Sequence, residues 1–134
     1  VIADYENLGL TLASHPLSLL RKQLTKLRFI DAANIEGVRH GGFIRTAGLV
    51  VTRQRPINAS GVVFLTLEDE TGLTNLIIWS NLIESYRHEL LHARLLGVDG
   101  KVQREGQVIH VIARRLEDHS TLLGRLKTYS RDFH

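Results

Sequence analysis

The chain has 134 residues, with 17 lysines and arginines against 14 acids, 7 histidines and no cysteine. That length suits one domain with a self-sufficient core, and the missing thiols exclude a disulfide framework, a thiolate metal site and a cysteine nucleophile. No apolar stretch approaches the roughly 20 residues needed to span a bilayer and no signal-peptide pattern opens the chain, so a reducing, cytoplasmic setting without a membrane partner is expected.

The chain begins at Val1 and contains no methionine, so it is expected to be a piece cut from a larger protein. Its first 30 residues read as helical. Pro16 suits a first helical turn, with Ser14 or His15 as the cap. Leu17, Leu20, Leu24 and Leu27 recur at three- and four-residue spacing and make an apolar stripe, with Arg21, Lys22 and Lys26 off it. Residues 31 to 43 hold Gly37, Gly41 and Gly42 and read as a linker.

From Ile44 the period changes to two. Ile44 to Thr52 is predicted as a first strand, with Ala47, Leu49 and Val51 on one face. Arg53 to Ser60, with Pro56 and Asn58, reads as a loop. Arg39, His40, Arg45, Arg53 and Arg55 fall between residues 39 and 55 with no acid among them. Local positive charge of this kind attracts phosphate.

The second strand, in GVVFLTLEDETG at 61 to 72, has two unlike faces. Val63, Leu65 and Leu67 form a uniform apolar face that should enter a core, which turns Val62, Phe64, Thr66 and Glu68 outward. An outward aromatic on a small barrel needs a flat partner, such as a nucleobase, or a covering element. Glu70, Thr71 and Gly72 make a hairpin turn, and Thr74 to Ile78 is a third strand ending near Trp79, which is expected to pack under the next helix. Asn81 is a cap with Glu84 three residues on, for a helix to about His92 that buries Leu82, Ile83, Tyr86 and Leu90. Leu95 to Arg104, with Leu96, Val98 and Val102 inward, is a fourth strand; Gln107 to Arg114, with Ile109, Val111 and Ala113 inward, is a fifth. A tail follows from Glu117, with one short helix through Leu122, Leu123 and Leu126.

Three strands, a helix and two strands, preceded by a short helical segment, make a mainly β protein. The arrangement is that of a five-stranded Greek-key OB-fold barrel with its helix between strands three and four. The expected division is a helical segment and linker at 1–36, the barrel domain at 37–116 and a tail at 117–134. In such a barrel the loop joining strands one and two flanks the outer face of strands two and three, where oligonucleotides bind. Arg53, Arg55 and Phe64 are therefore expected to converge as a basic groove beside a stacking platform. Asn75 adds a hydrogen bond, and Lys101 and Gln103 stand on the polar face of strand four.

Two other patterns have plainer explanations. His88-Glu89-Leu90-Leu91-His92 matches the H-E-x-x-H zinc-hydrolase helix, but the nearest downstream position for a third histidine is Val98. The buried stripe also turns both histidines outward, so a solvated helix face is the better reading. Glu68, Asp69 and Glu70 lie at a strand end and turn, where acids cap and solvate. Metal and catalytic residues are accordingly expected to be absent.

TAGLVVTRQRP, SGVVFLTLEDETG, LIIW and LLGVDGKVQREG together resemble the OB domain of bacterial C-family DNA polymerases. GLTLASHPL is similar to the segment before that domain, and RLEDHSTLLGRL with SRDFH resembles the C-terminus of the error-prone branch. The resemblance covers nearly the whole chain. It implies the C-terminal OB domain of a DNA-directed DNA polymerase used in translesion synthesis and damage-induced mutagenesis. The parent's magnesium-dependent palm would lie outside these residues. In the related aspartyl-tRNA synthetase domain, the phenylalanine matching Phe64 stacks on a base. Implied partners are single-stranded template DNA, other polymerase domains, the sliding clamp and mutagenesis accessory proteins. The competing expectation is a protein-interaction module whose outer barrel face docks on polymerase domains or partner subunits.

Overall fold

A computed structural model describes residues 15–54 and 61–124. Ser14, Arg55, Pro56, Asn58, Leu126 and the SRDFH segment lie outside the described residues.

Helix α1 spans Pro16–Lys26, and His15 caps it, its Nδ1 accepting from the Leu17 N–H at 3.1 Å. Leu17, Leu20 and Leu24 are buried as the spacing predicts, but Leu27 is 39 % exposed. The helix has already ended there. Arg28 takes a φ of 72° and turns the chain, so that Phe29 rather than Leu27 completes the apolar face. The predicted linker contains a short helix, α2 (Ala32–Ile35), held by Asp31 at Asn34 and by a carboxylate from far along the chain, Asp69, at the Ala32 N–H.

Strands β1 (Phe43–Gln54), β2 (Val62–Asp69), β3 (Gly72–Trp79), β4 (Leu95–Glu105) and β5 (Val108–Asp118) close a barrel in the order β1-β2-β3-β5-β4. Neighbours are antiparallel except β3 and β5, which run parallel where Asn75–Ile77 meets His110–Ile112. This is the expected Greek-key barrel. Leu65, Leu67, Leu76, Ile78, Leu96, Val98, Val102, Val111 and Ala113 fill it, with Val63 and Ile109 partly buried against them.

The apolar face of β1 has a different use from the one its alternation suggests. Ala47 and Leu49 do not enter the barrel. They join Leu95 on its outside, under Leu17, Leu20, Leu24 and Phe29 of the N-terminal segment and Leu122 and Leu123 of a final turn. Val51 leaves that face because the β1–β2 register shifts between Val50 and Thr52, and it is 50 % exposed.

The connection from β3 to β4 is two short helices, α3 (Ser80–Ile83) and α4 (Arg87–His92), not one. Trp79 occupies the N-cap of α3 and Asn81 lies inside it, so no Asn81–Glu84 capping box forms. Leu82, Ile83, Tyr86 and Leu90 still reach the core, which two helical pieces satisfy as well as one. Trp79 does not pack beneath them; it is 49 % exposed.

The acids at the β2–β3 turn are structural. Asp69, 5 % exposed, accepts hydrogen bonds from the N–H groups of Ala32, Thr71 and Gly72 and from the Thr71 hydroxyl. Glu70 accepts two from Arg21, at 2.7 and 2.9 Å, and so ties α1 to the hairpin. Those hydrogen bonds hold the Glu70 carboxyl below its ordinary 4.5. A lowered carboxyl stabilises the fold above its unfolded value, and that contribution disappears as pH falls through the folded value. Thermal melts between pH 7 and 3 should therefore show a fall beginning near pH 4.5 that is shallower in Glu70→Gln. Parallel acid limbs for the two proteins would remove this pair from the pH response.

Candidate nucleic-acid interface

The strand register assigns every side chain of the barrel to its inside or its outside. Inward Leu65, Leu76, Val111 and Val102 are buried. Their neighbours along each strand therefore point outward. These outward residues line up across the strands in two rows. One runs Gln54, Phe64, Ile77, Ile112, Lys101 and Phe43, each opposite the next. The other runs Thr52, Thr66, Asn75, His110 and Gln103. The first row holds two aromatic and two aliphatic residues with Gln54 and Lys101, the second is wholly hydrogen-bonding, and neither contains an acid.

Phe64 is partly exposed and belongs to neither apolar cluster, so α1 does not cover it. Asn75 is exposed in the adjacent row, two positions along β3 from Ile77, with its amide free to pair. Lys101 shares Phe64's row but stands beyond β3 and β5, partly exposed. Arg55 lies outside the described residues.

Arg53 does not converge with Phe64. It opposes Leu65, on the face away from Phe64. Its Nε donates to the Leu90 carbonyl at 2.7 Å, and its Nη2 donates to the Ala93 carbonyl. Carbonyls at a helix C-terminus lack intrahelical donors, and a guanidinium is a favoured partner for them. Arg53 thus fixes the end of α4 against the barrel.

The basic run has the same fate in part. Arg45 lies 4.4 Å from the Phe29 ring centroid and binds Asp99 and Glu117 at 2.9 and 3.2 Å. His40 accepts from the Arg104 N–H at 2.9 Å. The acids and backbone groups that engage these residues come from segments distant in sequence, which a local count of charge does not see. Arg39 remains exposed. His88 and His92 are both exposed, as their place off the buried stripe implied, with ring centroids 4.8 Å apart. No cluster of three metal-ligating side chains occurs among the described residues.

Sequence reasoning missed Thr52, Thr66 and His110, which are ordinary polar residues until the register aligns them. It also missed Phe43, 68 % exposed, because the residue was placed in the linker.

Residues 44–118, nearly the whole barrel, match the family described as the OB-fold nucleic acid binding domain. The chain belongs to that family. This OB-fold domain is 56 % identical over 134 residues to a protein of Dechloromonas aromatica (strain RCB) named error-prone DNA polymerase, and 54 % identical over 134 residues to one of the same name from Ralstonia nicotianae. It spans 13 % and 12 % of the lengths of those relatives. Among solved structures, asparaginyl-tRNA synthetase from Pyrococcus horikoshii, complexed with asparaginyl-adenylate, shares the fold at a TM-score of 0.58. The match is 21 % identical and covers 68 % of this chain and 22 % of that one.

Proposed function

We propose that this OB-fold domain binds single-stranded nucleic acid on the outer face of β2 and β3, as a non-catalytic part of an error-prone DNA polymerase. The observation that carries the reading is the outward, partly exposed Phe64, which stands in one of two adjacent acid-free rows with exposed Asn75 in the other. A base stacks on the ring whatever its identity, while the Thr66–Asn75–His110 row offers hydrogen bonds to bases or sugars. Binding should therefore be weakly sequence-dependent. Lys101 supplies phosphate attraction from beyond β5, Arg55, which lies outside the described residues, adds positive charge next in sequence to β1, and Arg53 acts through the position of α4. The identity with error-prone polymerases supports the polymerase setting. In that setting the ligand is template DNA during translesion synthesis in the cytoplasm, and the domain lies toward the enzyme's C-terminus. Magnesium, the sliding clamp and accessory proteins belong to the parent enzyme.

Fluorescence anisotropy with a labelled oligonucleotide tests this directly. Phe64→Ala should weaken binding by about 1–3 kcal/mol, roughly 5- to 150-fold. Undiminished affinity in that variant would reject Phe64 as the platform.

A further inference from the structure

The row through Phe64 does not stop at β3. It continues through Ile112 and Lys101 to Phe43, four strand steps away, or roughly 19 Å around the surface. That reaches beyond one stacked base and falls within the span of the 4- to 16-nucleotide sites, on the order usual for one OB fold. The far end has its own aromatic and basic groups. Phe43 is 68 % exposed, and the Arg114 guanidinium lies over its ring, 5.2 Å from the centroid. Arg114 also lines a shallow cleft with Trp79, Asn81 and Ile112, so the exposed indole borders the same cleft. Neither Arg114 nor Lys101 enters an ion pair among the described residues. The nearby acid in the β4 strand, Asp99, is already bound by Arg45.

We propose that Phe43, Arg114 and Trp79 form a second stacking centre, which holds the distal part of the same single strand that Phe64 anchors. Two unpaired cations between exposed aromatic rings suit a polyanion that also presents flat faces. The first row joins the two centres without a break, so one extended strand reaches both. The inference rests on the Phe64 reading, and the path it implies runs over β3, β5 and β4 rather than β2 and β3 alone.

Trp79 is the only tryptophan in the chain. It opposes Val62, two residues from Phe64, and also borders Arg114, so its fluorescence reports on that stretch of the row and the Phe43 and Arg114 variants separate the two centres. Titration of the 134-residue chain with a twelve-nucleotide oligothymidylate should quench it in parallel with the anisotropy change. Phe43→Ala and Arg114→Ala should each weaken the twelve-mer at least about 5-fold, with circular dichroism melts unchanged because both side chains are exposed. Phe64→Ala should leave the final quench intact while shifting its midpoint. Binding that depends on Phe64 but leaves Trp79 fluorescence unchanged, with wild-type affinity in both variants, overturns the second centre and spares the first. So does a change in the variants' association with protein partners alone. No binding by the wild-type chain removes the Phe64 reading and this one with it.

Discussion

Asp69→Ala is expected to lower the unfolding free energy by roughly 3–5 kcal/mol, the largest loss from any single polar side chain in the fold. The carboxylate is 5 % exposed and serves four donors: the N–H groups of Ala32, Thr71 and Gly72, and the Thr71 hydroxyl. Three of these shape the β2–β3 turn, and the fourth begins α2. Removing the acceptor strands several donors at once, and each buried, unpaired donor costs about 1–3 kcal/mol. Arg21 lies 3.8 Å from the same carboxylate, so its attraction is lost as well. Denaturant melts measure the effect directly. Asp69→Asn should recover part of it, because its amide oxygen still accepts. A variant within 1 kcal/mol of wild type would show that the turn and α2 hold without this anchor.

Gly100→Val is expected to cost about 3 kcal/mol or more, by overpacking. A Cβ at this position would stand 2.6 Å from Val111 Cγ1 and 2.7 Å from the Ile112 carbonyl oxygen. The second contact is with backbone, which cannot rotate away. Gly100 also sits where the β4–β5 register shifts, so the two strands approach there without a side chain between them. A midpoint lowered by roughly 10 °C is the expected result for a domain of this size. The same displacement would disturb Lys101 and Ile112, which follow the two crowded residues on the outer face. A melting point within 2 °C of wild type would mean that β4 and β5 separate more easily than their packing suggests.

The barrel was legible because three of its five strands, β2, β3 and β5, bury mainly one face. Alternation in 62–69 and 108–113 is a direct imprint of that geometry, and the strand–helix order then admits few folds. Alternation misled where a second layer covers the outside. Ala47 and Leu49 are apolar because α1 lies on them, and no local pattern separates that cover from a barrel interior. The error over Arg53 has a sharper cause. From Phe43 to Leu49 the odd-numbered residues of β1 face outward. The bulge at Val51 inserts one residue, after which Thr52 and Gln54 face outward and Arg53 turns inward beside Leu65. One unpaired residue therefore moved a guanidinium from the expected groove to a helix end. Phe64 escaped this because β2 pairs with β3 without a shift. Lys101 was placed on the right face, but its distance from Phe64 depends on the β3–β5 parallel pairing, a contact between segments far apart in sequence.

Leu17, Leu20 and Leu24 share one cluster with Leu122 and Leu123, so α1 and the last described turn meet on one side of the barrel. Each shields apolar surface of the other, and together they cover Ala47 and Leu95. The β2–β3 pairing that sets Phe64 beside its neighbours lies outside this cluster, so the spacing on the outer face does not depend on it.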